Sequence, residues 1–116
     1  MLDLLEREDV ELVGNVYWVE ELLRYAEEFR SETATWLLGV LLERARVVSP
    51  RRNFVNVCAR YVTTPDVADV VHAATCLQEK AVLISNDRHF DRIRREGVVE
   101  VWTISEAIRS LRRTRT

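Results

Sequence analysis

Apolar residues recur along most of this chain at three- and four-residue intervals, interrupted by a few short unbroken apolar runs, and that contrast predicts helices alternating with strands. Leu2, Leu4 and Leu5 mark a short opening helix, LDLLERE, followed by a turn at Asp9 and a brief strand at Glu11–Val13. Trp18, Leu22, Tyr25 and Phe29 are spaced four, three and four apart, which predicts a helix from Tyr17 to Phe29. Ser31 suits the N-cap of the next helix, Glu32 to about Arg44, whose inward face should carry Thr35, Leu38, Leu41 and Leu42. Arg46–Val48 reads as an edge strand closed by Pro50. Arg51–Tyr61 reads as a weaker helix, with Phe54, Val57, Cys58 and Tyr61 in period but Asn53, Asn56 and two valines against it.

The stretch from Thr63 to Asp87 holds the strongest pattern. Thr64 suits an N-cap and Pro65 a first helical position, where no N–H is needed. Val67, Val70, Val71, Ala74, Thr75 and Leu77 then form an apolar helical face, with Asp66 and Asp69 in its first turn and a half, where the helix dipole favours negative charge. Ala81–Ser85 is an uninterrupted apolar run, expected as a parallel strand covered on both faces. It ends in Asn86–Asp87, at the carboxyl end of the strand, where open α/β sheets place their ligands. Carboxylates converging there suit a hard divalent cation. A short helix from Arg88 to Arg95 stops at Gly97, Val98–Trp102 is the last strand, and Thr103–Glu106 is a capping box opening a final helix, Ser105 to Arg112. The alternation argues for an α/β fold with a parallel sheet, as one domain over residues 1–116.

Composition adds bounds rather than direction. A net charge of −2 over 116 residues neither argues for nor excludes a nucleic-acid partner. All but one of the 17 basic residues are arginine, which suits phosphate recognition but also reflects genome composition or a warm habitat. Arg88, Arg92, Arg94 and Arg95 form either a phosphate-tracking patch or a solvated helix face. Cys58 and Cys76 lack metal-ligand spacing and read as reduced core residues. With no secretory signal and no apolar run long enough for a membrane span, the expectation is a cytoplasmic protein. Taken singly, Asp66 answers a helix dipole and Asp87 caps a helix; Asp69, among valines, is harder to read as structural. His72 reads as a helix residue near the core, and His89 as either exposed or a contact to a substrate phosphate.

Asp69-Val-Val-His-Ala-Ala-Thr75, then Ala81-Val-Leu-Ile-Ser-Asn-Asp87 and Phe90, resembles the second half of a PIN domain. Leu12–Asn15 followed by Val19-Glu20-Glu21-Leu22 is similar to that family's second strand and the helix carrying its Glu-Leu pair. The resemblance implies a three-layer α/β/α fold with a parallel sheet of about four short strands, and a metal-dependent endoribonuclease of the VapC toxin type, paired with an antitoxin. It implies Glu21 (or, as the alternative, Glu20), Asp69 and Asp87 as catalytic and metal-holding acids, with Mg2+ or Mn2+ as the ion and RNA as the substrate. Many members carry a second acid two positions beyond Asp87, where this chain has His89; Asp66 is the expected replacement for that charge. Arg88, Arg92 and Arg95 are the expected RNA contacts. The family's first strand, ending in a metal-binding Asp, has no counterpart here, so the expectation is an N-terminally truncated relative. The alternative is therefore an inactive PIN-like module kept for binding or oligomerisation. Tyr17, Trp18, Phe29 and Trp36 would then serve a homodimer or antitoxin interface as readily as the core.

Overall fold

The fold is seen in a computed structural model that describes residues 7–62 and 66–113. In chain order its elements are β1 (Leu12–Gly14), α1 (Val16–Phe29), α2 (Glu32–Arg44), β2 (Ala45–Val47), α3 (Arg52–Ala59), α4 (Val67–Glu79), β3 (Leu83–Ile84), a 3-10 turn (Arg88–Phe90), α5 (Asp91–Arg95), β4 (Val101–Trp102) and α6 (Ile104–Arg113). The opening helix and the Thr64 and Pro65 positions expected from the sequence lie outside the described residues.

Local chemistry fixes most boundaries. Ser31 Oγ accepts the Ala34 N–H at 3.0 Å and starts α2 as its sequence position suggests. Asp66 Oδ1 does the same for the Ala68 N–H at 3.0 Å and is the N-cap of α4. Thr103 and Glu106 exchange bonds reciprocally at 3.1 Å each and open α6. Two helices end on residues in the left-handed region, Arg30 after α1 at φ 45° and Lys80 after α4 at φ 55°. Each cap N–H closes the last turn, onto Ala26 O and Cys76 O respectively.

The strands pair in parallel, β1 with β2 and β3 with β4. Each pair encloses its own helical crossover, α1–α2 for the first and the 3-10 turn with α5 for the second, as parallel strands require. The four expected short strands are thus present, but as two separate two-stranded sheets, with no strand between β1 and β3 among the described residues. α4 packs against both β1 and β3, and also against α1 and α3, so it is the element the two sheets share.

This division overturns one sequence expectation. The Ala81–Ser85 run is not a strand sealed on both faces: only Leu83–Ile84 is extended and paired, and Ile84 is 46% exposed. Among the described residues β4 alone pairs with β3, and no second strand buries its other side. The core gathers instead around α4. Cys58 and Val62 at the end of α3, Ala73 and Ala74 of α4, Phe90 and Ile93 around α5, and Val99 and Val101 near β4 form one buried cluster. The small side chains of α4 let its neighbours approach closely.

The amphipathic pattern of α1 and α2 is real, yet neither helix holds a fully buried residue. Of the expected inward face of α2, Leu38, Leu41 and Leu42 are half-buried and Thr35 is exposed. Val67, expected to face inward, stands in the first turn of α4 and is 59% exposed. Phe29 and Trp36 are likewise exposed, at 63% and 53%.

Candidate metal centre

Asp69 enters the site from the first turn of α4, and Asp87 from the loop that leaves β3. The Asp87 N–H donates to Ser85 Oγ at 3.0 Å, and its Oδ1 accepts the His89 N–H at 2.9 Å, which makes Asp87 the cap of the 3-10 turn. That turn swings the His89 imidazole back over both carboxylates. Its Nδ1 stands 2.8 Å from Asp69 Oδ2 and 3.2 Å from Asp87 Oδ1. One ligand atom from each of Asp69, Asp87 and His89 lies within 4.8 Å of the others, an arrangement able to hold a divalent ion. The donor set suits such an ion: two carboxylates supply charge and oxygen, and the imidazole supplies a neutral nitrogen lone pair once its Nδ1 is free of a proton. The site is open, with the side chains of Asp87 and His89 about half exposed.

A second polar network lies beside it. Asn15, 3% exposed, caps α1 by accepting the Trp18 N–H at 3.1 Å through Oδ1. Its amide nitrogen is therefore free to donate, and reaches Thr75 Oγ1 at 3.1 Å and His72 Nδ1 at 3.0 Å. Thr75 in turn donates to Val71 O at 2.7 Å. Since His72 Nδ1 accepts, the ring proton sits on Nε2, which donates to Glu21 Oε1 at 3.1 Å. Positions 69 and 72 are neighbours on one side of α4, so His72 holds Glu21 beside the aspartate cluster rather than within it.

The remaining residues singled out in the sequence have other employment or none. Asp66 caps α4 and does not join the cluster. Arg92 donates to Arg60 O at 3.0 Å and lies 5.6 Å above the Tyr61 ring. Arg94 pairs with Glu106 at 2.8 Å; that bond, with the Thr103 N–H, holds the Glu106 carboxyl below the usual carboxylate range. Arg88 and Arg95 are exposed. Burial pushes the Cys58 thiol up to about 11 and the Cys76 thiol up to about 12, so both are unreactive core groups. A recess of about 350 Å³ lined by Arg94, Gly97, Val99, Trp102 and Glu106 shares no residue with the aspartate cluster.

Sequence reasoning paired Asp69 with Asp87 but did not join His89 to them, and it assigned no role to Asn15. The signal for Asn15 was present, since an asparagine between an apolar run and a helical pattern is an N-cap position. For His89 the only signal was its place two residues beyond Asp87, at the turn that Asp87 caps.

The carboxylates meet where a helix start and a strand end converge, in a chain of short parallel strands and crossover helices. The profile of the PIN domain, generally a metal-dependent nuclease fold, matches residues 2–96. No curated protein and no solved structure matches the chain significantly. Since the match spans most of the chain and takes in both aspartates, the chain belongs to the PIN-domain family.

Proposed function

We propose that this PIN domain is a metal-dependent endoribonuclease of the VapC toxin type, hydrolysing RNA phosphodiesters. The observation that carries the reading is the convergence of Asp69 and Asp87 from separate elements onto His89. Asp69 and Asp87 would hold a Mg2+ or Mn2+ ion, which supplies activation of the attacking water and a countercharge to the scissile phosphate. Glu21, hydrogen-bonded to His72, stands ready beside Asp69 as a further acid, oriented by the Asn15–His72 contact. The open site admits a polymer backbone, and the exposed Arg88 and Arg95 sit on the same turn and helix to meet its phosphates. Arg92, held by Arg60 O and Tyr61, contributes less. The exposed aromatic residues of α1 and α2, Tyr17, Tyr25, Phe29 and Trp36, support a protein partner, either a second copy of the chain or an antitoxin.

The test is cleavage of a labelled single-stranded RNA by the purified full chain with Mg2+ or Mn2+, comparing wild type with Asp69→Asn and Asp87→Asn. Removing a ligand from a centre that activates water should lower the rate by orders of magnitude, about 100-fold or more. Cleavage that survives both substitutions, or that persists in excess chelator, refutes the reading. A folded wild-type chain without metal-dependent cleavage leaves a PIN-like binding module, the reading consistent with Glu21 and Asp66 being engaged outside the cluster.

A further inference from the structure

Among the described residues, the two aspartates are joined by an imidazole and by no third carboxylate. Glu21 is hydrogen-bonded to His72 Nε2, and Asp66 accepts the Ala68 N–H. His89, by contrast, is fixed at its backbone by Asp87 Oδ1, 2.9 Å from its N–H, and its Nδ1 faces both carboxylates. Nδ1 is hydrogen-bonded to Asp69 Oδ2 at 2.8 Å and lies 3.2 Å from Asp87 Oδ1, so an ion entering between the carboxylates would take the place of the proton on Nδ1. Bonds of roughly 2.0–2.2 Å put adjacent donors about 3 Å apart at octahedral angles and about 3.4 Å apart at tetrahedral ones.

From this we infer that His89 is a metal ligand, and that it makes the Asp69–Asp87 site a mixed oxygen–nitrogen centre taking a divalent transition ion such as Zn2+ or Co2+ in preference to Mg2+. The inference rests on the proposal that Asp69 and Asp87 hold a divalent ion, and revises that ion's identity from Mg2+ or Mn2+. Mg2+ demands hard oxygen donors, keeps its waters and gains little from an imidazole. Zn2+ and Co2+ bind imidazole nitrogen well, and lie above Mn2+ in the general affinity order of first-row ions. With two carboxylates in the cluster among the described residues, the imidazole is the donor that decides between these groups of ions.

Chelator-stripped full chain, labelled with 15N at histidine, is titrated with Zn2+ while the ring nitrogens are followed by NMR, and calorimetry compares Zn2+, Co2+, Mn2+ and Mg2+. The chain has two histidines, so His72, engaged with Asn15 and Glu21, serves as the internal reference. Zn2+ is expected to move the Nδ1 resonance of His89 and leave that of His72 in place. His89→Ala should weaken Zn2+ and Co2+ by about 10–100-fold or more, a range that even the outer partners of metal ligands reach, and leave Mg2+ unchanged. His89→Asp should reverse the order in favour of Mg2+ and Mn2+. If wild type and His89→Ala bind Zn2+ alike and the His89 resonances stay still, while Asp69→Asn abolishes binding, His89 is no ligand and the aspartate site stands. If Asp69→Asn binds every ion as wild type does, the aspartate site itself fails and the inference falls with it.

Discussion

Asn15 Nδ2 and His72 Nδ1 meet at 3.0 Å, across 57 residues of chain, and this one bond sets which nitrogen of His72 carries the proton. It does so because the other end of the same amide is committed to the cap of α1. Asn15→Ala removes the cap and strands Thr75 and His72, so it is expected to destabilise the fold by about 2–4 kcal/mol, the sum of a lost cap and an unpaired buried partner. Urea unfolding followed by circular dichroism measures it. Asn15→Asp keeps the cap acceptor but loses both donors, so it should restore α1 without restoring the His72–Glu21 geometry.

The two glycines Gly14 and Gly39 should respond to alanine in opposite directions. A Cβ at Gly14 would fall 2.4 Å from the Trp18 ring, so the ring or β1 must move. The expected cost is about 1–3 kcal/mol, with a change in tryptophan fluorescence as the indole shifts. At Gly39, inside α2, a Cβ would meet nothing within 4 Å. Gly39→Ala should stabilise by about 0.5–1 kcal/mol through helix propensity alone. Equal effects at the two positions would contradict the placement of Trp18.

The cysteines predict an alkaline weakness. Burial raises Cys58 from 9.0 to about 11, so the folded chain keeps its thiol proton while the unfolded chain begins to lose it. The unfolded state then binds fewer protons, and stability falls as pH rises through that window. The slope for one such group approaches about 1.4 kcal/mol per pH unit. Below pH 9 the contribution is fully present. Denaturant midpoints measured from pH 8 to 11 should decline for wild type and decline less for Cys58→Ala, whose absolute stability is lower. Folded chain at pH 8 should also resist alkylation at Cys58.

What the sequence showed and what it hid divide along the range of the interactions. Ser31, Thr103 with Glu106, and Gly97 act within four residues, and the elements they bound were legible from local pattern. Asp69 and Asp87 were legible for a similar reason, each marking the end of an element whose type the pattern reveals. The contact of His89 with Asp69 spans 20 residues and depends on how the turn after β3 is aimed at α4, which no local pattern encodes. The bonds of Asn15 to His72 and Thr75 are longer-ranged still. Periodicity showed which sides of α1 and α2 are apolar, but it does not say whether anything packs there, and their fully buried residues are none. Apolar runs likewise announced four strands and could not show that they pair as two sheets.

That division of the sheet, with α4 common to both halves, gives the molecule two levels of cohesion. Asp69, Asp87 and His89 belong to the half that carries the buried cluster of Cys58, Ala73, Phe90 and Ile93. Glu21 rides on α1, which has no fully buried side chain. Amide hydrogen exchange should find α1 and α2 opening at lower free energy than α4, as cooperative units with few buried contacts do. On warming, the chain would then shed Glu21 from its partner before the aspartate pair comes apart. Under the proposed nuclease function such a protein would have two thermal limits, one for turnover and a higher one for gripping its ion, and the interval between them would measure how loosely the outer helices are attached.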